Sequence, residues 1–201
     1  SWGSDDAGVG DTNGLEDVYL RDLAAGKTLL VSVRADGAGP GNGASSMPVL
    51  AGGGRYVAFE SEATDLTAIE DLNRSEDVFL RDLETGTTEL ISAGVSGQPG
   101  DRSSRQPLVN EDGSVVVFRS EATTLAPLEG FATDLLVWVR ASRSVTRVTL
   151  PGRASPPLSR PLFAEQPVLS GDGRYLAFFV GAPSVLPNDY SGVWWFDLST
   201  G

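Results

Sequence analysis

Near the start of the chain, Asp11-Thr12-Asn13-Gly14-Leu15-Glu16-Asp17 places oxygen-bearing side chains at the first, third and seventh positions, with a glycine between them. Hard cations use such loops, since calcium takes roughly six to eight oxygens and a tight turn with alternate residues pointing inward can supply several at once. Asp11, Asn13 and Asp17 would give two carboxylates and an amide oxygen, the backbone carbonyl of Leu15 a further ligand, and water the rest. Sixty residues on, Asp71, Asn73 and Asp77 repeat the set, but Arg74 replaces the glycine and brings a cation toward the centre, so this copy should bind more weakly. A third copy, Gly130-Phe131-Ala132-Thr133-Asp134, keeps only the last carboxylate, and Asn188-Asp189-Tyr190-Ser191-Gly192 falls out of register. Neither is expected to hold a metal. The same residues carry a second reading without any ion, because Asp and Asn side chains satisfy backbone amides in turns and cap the entrances of strands.

The rest of the catalytic repertoire is thin. The chain has no Cys and no His, which removes thiolate zinc sites, cysteine nucleophiles, Ser-His-Asp triads and imidazole acid-base chemistry together. Glu111 and Glu165 are the carboxylates a glycosidase reading would pair, but nothing in the sequence brings them together, and both are expected as solvated charge. Fifteen basic residues against 27 acidic ones give a net charge of −12, which repels a phosphate backbone and argues against nucleic acid or an anionic membrane as partner. No window approaches the roughly 18 uninterrupted apolar residues that a spanning helix needs. The chain opens on Ser-Trp-Gly without an initiator Met or a leader, the pattern of a processed protein or of an excerpt.

The elements that position these residues follow from an internal repeat. Asp17 to Leu23 (Asp-Val-Tyr-Leu-Arg-Asp-Leu) recurs as Asp77 to Leu83 (Asp-Val-Phe-Leu-Arg-Asp-Leu), with Asp134 to Val139 and Gly192 to Leu198 as looser copies. Gly54-Arg55-Tyr56-Val57-Ala58-Phe59 recurs at Gly113 to Phe118 and Gly173 to Phe178, and Pro48, Pro107 and Pro167 mark a third signature in the same register. Each unit of about sixty residues reads as four strands, A to D. An apolar run follows the proline, Asp112-Gly113 or Asp172-Gly173 closes a tight hairpin, and Glu84-Thr85-Gly86 turns strand C into strand D. With 24 Gly and 12 Pro and no sustained helical period, the chain is predicted to be all-β. One four-stranded sheet cannot bury both its faces alone, so the units must stack.

The layout is therefore a single β-propeller region over 1–201, with blade portions 1–33 (strands C and D), 47–92, 106–150 and 166–201 (strands A, B and C), about three and a third repeats of a partial or incomplete propeller. Open blade edges on such an array invite strand addition, so self-association through them is a candidate behaviour. Trp194 and Trp195 align with Phe79 and Leu80 and are both predicted to be buried, whereas Trp2 falls in a long loop. The repeated Arg21-Asp22 and Arg81-Asp82 pairs are predicted to bracket neighbouring strands.

Pro167 to Phe178 (Pro-Val-Leu-Ser-Gly-Asp-Gly-Arg-Tyr-Leu-Ala-Phe), with copies at Pro48 to Phe59 and Pro107 to Phe118, resembles the PD40 group of WD40-like repeats found in TolB-type propellers and in prolyl-oligopeptidase-type peptidases. The resemblance implies a propeller fold and leaves function open. The peptidase connection would concern only a propeller domain, because this sequence has no His and no Gly-x-Ser-x-Gly elbow. The function expected is a non-enzymatic binding scaffold for a protein or glycan, extracellular or periplasmic, with Ca2+ as its candidate cofactor. The alternative is the propeller domain of a larger enzyme whose catalytic domain lies elsewhere.

Overall fold

The computed structural model describes residues 11–69, 71, 73–127, 131–150, 162–181 and 191–199. They form thirteen strands in four antiparallel sheets. The first pairs β1 (Tyr19–Asp22) with β2 (Lys27–Leu30). The second runs β3 (Ser45–Leu50), β4 (Tyr56–Ser61), β5 (Asp77–Asp82) and β6 (Thr87–Leu90) in sequence order, and the third repeats it with β7 (Ser104–Val109), β8 (Val115–Ser120), β9 (Phe131–Val139) and β10 (Ser144–Leu150). The last sheet holds β11 (Ala164–Leu169), β12 (Tyr175–Val180) and β13 (Gly192–Asp197). The chain is thus all-β and built of propeller blades, with complete ABCD blades in the middle, C and D strands before them and A, B and C strands after them.

Three apolar clusters lie between successive sheets and explain why the repeat holds together. Strand pleating sends alternate residues to opposite faces. Val57 and Phe59 of β4 therefore pack back onto Val18 and Val31, while Tyr56 and Ala58 pack forward onto Val116 and Phe118 of β8. Val117 of β8, with Leu135 and Val137 of β9, in turn faces Leu176, Phe178 and Val180 of β12. Every internal blade is apolar on both faces, which is why its strands read as near-continuous hydrophobic runs.

The A strands of successive blades touch: β7 packs on β3, and β11 packs on β7. Their A–B turns are joined by backbone bonds from blade to blade, Gly53 N–H donating to the Glu111 carbonyl at 3.2 Å and Glu111 N–H to the Gly171 carbonyl at 2.9 Å. Each A strand also carries a bulge, with Met47, Gln106 and Gln166 in left-handed backbone just before the recurring prolines. Such positions cost roughly 1–3 kcal/mol for residues other than glycine. Their recurrence at one register marks a built feature that breaks the pairing pattern of an edge strand.

Gly113 ends the A–B turn of the third blade at φ +68°, and a Cβ placed there would come within 2.5 Å of the Tyr56 ring in the preceding blade. Gly113→Ala should therefore cost about 2–3 kcal/mol, from left-handed strain plus displacement of Tyr56, read as a lower urea midpoint.

Candidate functional site

The Asp and Asn residues singled out in the sequence come together at the entrances of the C strands, and in both repeats they form the same hydrogen-bond network. In the second blade, Asp71 Oδ1 accepts from Asn73 N–H at 3.0 Å, and Asn73 Oδ1 accepts from Ser75 N–H at 2.7 Å. The Asn73 amide group donates to Asp77 Oδ2 at 3.0 Å and to the Gly100 carbonyl at 2.6 Å. Ser92, two residues beyond β6, completes the circuit, its hydroxyl donating to Asp77 Oδ1 at 2.5 Å while accepting from Val78 N–H at 3.0 Å. One carboxylate thereby ties the loop between strands B and C, strand C itself, strand D and the following loop.

The first blade repeats this through Asp11, Asn13, Asp17 and Ser32. Asp11 Oδ1 accepts from Asn13 and Gly14 N–H, Asn13 Oδ1 accepts from Leu15 N–H, and the Asn13 amide donates to the Gly41 carbonyl at 2.7 Å. Ser32 donates to Asp17 Oδ1 at 2.8 Å and accepts from Val18 N–H. The copies differ in that Asp11 Oδ1 takes a second amide, from Gly14, and in that Asp17 Oδ2 is buried and has no hydrogen-bond partner among the described residues.

Calcium fits the two loops unequally. In both loops the Asn oxygen already accepts a backbone N–H, from Leu15 and from Ser75, and in the second Asn73 also donates to Asp77 and so occupies the oxygen an ion would need. In the first, Asp17 keeps one open oxygen. Among the described residues, no group of three or more acidic side chains is close enough to hold a metal ion.

Asp77 is fully buried and is held only by neutral donors, Ser92 and Asn73. Burial pushes its pKa up to about 7, partly opposed by those two hydrogen bonds. Burial also raises Asp17, against the Ser32 and Asn13 contacts.

The third blade solves the same problem differently. Asp134 accepts from Ala164 N–H at 2.8 Å and forms an ion pair with Arg119, whose Nε lies 2.9 Å from Oδ2. Burial nevertheless raises Asp134, opposed by that amide and by the guanidinium. The hydroxyl role of Ser92 passes to Thr133, which donates to the Val148 carbonyl and accepts from Leu135 N–H. Arg119 also stacks on the exposed Phe163 ring, its guanidinium carbon 3.5 Å from the centroid, and reaches Gln106 Oε1 at 3.4 Å. Sequence reading missed this Arg119, Asp134 and Phe163 cluster, since nothing in one strand announces a partner fifteen residues away on the next. It also missed Ser32 and Ser92, although each stands fifteen residues after its aspartate, a spacing open to inspection.

The Arg-Asp repeat does bracket strands, with different partners. Arg21 and Arg81 donate to Thr28 and Thr88 on the adjoining D strands at 2.8 and 3.0 Å. Asp82 instead takes a two-pronged contact from Arg55, and Asp197 one from Arg174. These guanidinium bonds hold both carboxyls well below the usual carboxylate range. Trp194, predicted to be buried, is half-buried and packs against the apolar cluster shared with the third blade. Trp195 does not follow its alignment partner: Leu80 is 3% exposed and Trp195 is 68% exposed, because no described residue covers the far face of the last sheet. Glu111 lies with its side chain against Gly52 and Gly171 in the neighbouring turns, and Trp2 falls outside the described residues.

No protein-family model matches the chain, and no curated protein sequence matches it. Among solved structures it is similar to TolB from Acinetobacter baumannii, with 20% identity over 92% of this chain and 36% of that one and a TM-score of 0.47. It is also similar to the β-propeller domain of the Trilobed protease from Pyrococcus furiosus, with 12% identity over 90% of this chain and 46% of that one and a TM-score of 0.49. The chain thus spans less than half the length of either. The propeller architecture rests on the chain's own stacked four-stranded sheets.

Proposed function

We propose that the chain is a non-enzymatic propeller scaffold, extracellular or periplasmic, that binds a protein or glycan at the end where the A strands begin and the long loops meet. The observation that carries this reading is the row of exposed residues held there by repeated left-handed bulges: Met47, Gln106 and Gln166, with Phe163 laid over Arg119 beside them. An aromatic ring, a paired guanidinium and amide side chains are the groups that recognise sugar hydroxyls or peptide amides. The absence of His and Cys from the sequence supports binding over catalysis.

Glycan and peptide arrays probed with the purified chain test the reading. Signal lost in Phe163→Ala and in Gln106→Ala, and retained in Leu23→Ala at an exposed C–D turn, is the expected result. Signal equally strong in all three would place the ligand elsewhere.

We assign calcium, as a secondary ligand, to the first loop alone, through Asp17 and its open oxygen. Titration of calcium into chelator-treated protein should give weak binding in the millimolar class. That heat should disappear in Asp17→Asn and persist in Asp77→Asn. No heat, together with an unchanged melting temperature, would leave both loops as caps.

A further inference from the structure

Asn-Gly occurs twice in the sequence, at Asn13-Gly14 and Asn42-Gly43. In such a pair the glycine peptide nitrogen can attack the asparagine Cγ, because no Cβ on the following residue obstructs the approach. The two pairs sit in opposite surroundings. A Cβ on Gly43 would come within 2.5 Å of the Glu62–Ala63 backbone, and Asn42 is clamped to the residue that follows, its amide group donating to Thr64 Oγ1 at 2.9 Å and its Oδ1 accepting from Thr64 N–H at 2.8 Å. A succinimide ring cannot close there without pulling the Gly43 peptide out of its seat.

Gly14 stands at φ +69°, and a Cβ on it would meet no described atom. The bonds around it bring together the groups a ring closure needs. Gly14 N–H donates to Asp11 Oδ1 at 2.7 Å, so the proton of the nucleophile already points at a carboxylate able to take it. Asn13 Oδ1 accepts from Leu15 N–H at 2.8 Å, a donor aimed at the oxygen that gathers negative charge as Cγ becomes tetrahedral. This bond also folds the carboxamide back over the Gly14 peptide, which lies inside the turn it closes. Asn13 Nδ2, the leaving nitrogen, donates to the Gly41 carbonyl at 2.7 Å and fixes the carboxamide against rotation.

The second repeat supplies an internal control. Asn73 makes the same bonds, to Ser75 N–H and to the Gly100 carbonyl, but the residue after it is Arg74, whose Cβ hinders the attack. Arg74 is exposed although its whole blade surrounds it, so water reaches this position of the loop.

We propose that Asn13-Gly14 is a self-modification site, where Asn13 is converted to aspartate and isoaspartate without an enzyme. Gly14 N passes its proton to Asp11 and bonds to Asn13 Cγ. The Cγ–Nδ2 bond breaks, ammonia leaves with that proton, and water opens the resulting imide at either carbonyl. One water is consumed, one ammonia is released, and nothing is oxidised or reduced. The donor facing the Gly41 carbonyl becomes an acceptor, so the tie between the first sheet and the loop leading into the second blade is lost.

Peptide mass spectrometry on the folded chain, held at physiological temperature and mildly alkaline pH, tests this, with isoaspartate read by enzymatic methylation. Asn13 should convert at least about tenfold faster than Asn42 or Asn73. Gly14→Arg, which copies a residue the second repeat holds at φ +52°, should bring Asn13 down to the rate of Asn73. Asp11→Asn keeps an acceptor for the two amides but loses the base, and should slow conversion by at least about threefold. Circular dichroism checks that both variants are folded. Asn13→Asp, the mimic of one product, should lower the urea midpoint. Conversion of Asn13 no faster than that of Asn73 would overturn the proposal. An Asp11→Asn chain that converts as fast as the parent would also overturn it, since the loop would then add nothing to the dipeptide's own reactivity.

Discussion

Raising the pH from about 4 to about 7 should destabilise the fold, with Asp77 the largest single contributor. Its folded pKa, about 7, lies above its ordinary value of 3.8, so across that interval the folded chain binds the extra proton. Stability falls with pH wherever the native state holds more protons, and the stabilisation is fully present only below the lower of the two values. Roughly three units at 1.36 kcal/mol each set an upper bound on the order of 4 kcal/mol, lost progressively as the pH rises through about 7 and constant above that titration. Asp17 and Asp134 are raised as well and add to the slope. Asp82 and Asp197 are depressed and act in the opposite sense below the window, so the optimum should lie on the acidic side of neutral. Urea midpoints collected across this range check the slope, and Asp77→Asn should remove most of it. A slope unchanged in that variant would show that the carboxylate stays ionised in its bracket.

Phe118→Ala should be among the most damaging single truncations at the described residues. Phe118 is fully buried in β8, in the cluster shared by the second and third blades. Removing a buried Phe ring leaves a cavity and costs about 3–5 kcal/mol. That is a large part of the 5–15 kcal/mol typical of a whole domain, so the variant should be close to unfolded at physiological temperature. The equivalent change in the last blade, Phe178→Ala, should cost less. Phe178 stacks on Phe196 at 5.6 Å, but the sheet behind it has an open outer face and can relax into the space. Denaturant unfolding of the two variants side by side measures the difference.

Strand order and turn positions were legible in the sequence because they are local: a Gly at positive φ after Asp, alternating apolar residues, and a spacing that repeats. The A strands begin two residues earlier than the recurring motifs suggested, at Ser45, Ser104 and Ala164, since the motif starts after the bulge and the bulge itself leaves no mark but the proline. The C strand of the third blade likewise extends back to Phe131, beyond its recognisable core. The Asp and Asn side chains of these loops do lie together, but spacing does not reveal whether a side-chain amide turns its oxygen or its nitrogen inward, and in the second blade it is the nitrogen that faces Asp77. Trp195 shows the same limit from the other side. Alignment identifies the face a residue occupies, whereas burial depends on what stands opposite.

The A–B turns link successive blades through backbone bonds, which the apolar clusters do not. Glu111 gives its carbonyl to one neighbouring turn and takes one from the other, while its own side chain lies against Gly52 and Gly171. Angular spacing between these blades is therefore gauged by peptide groups at fixed separation, like teeth cut to one module. Outer side chains can drift in volume over evolutionary time without altering how many such units would complete a circle.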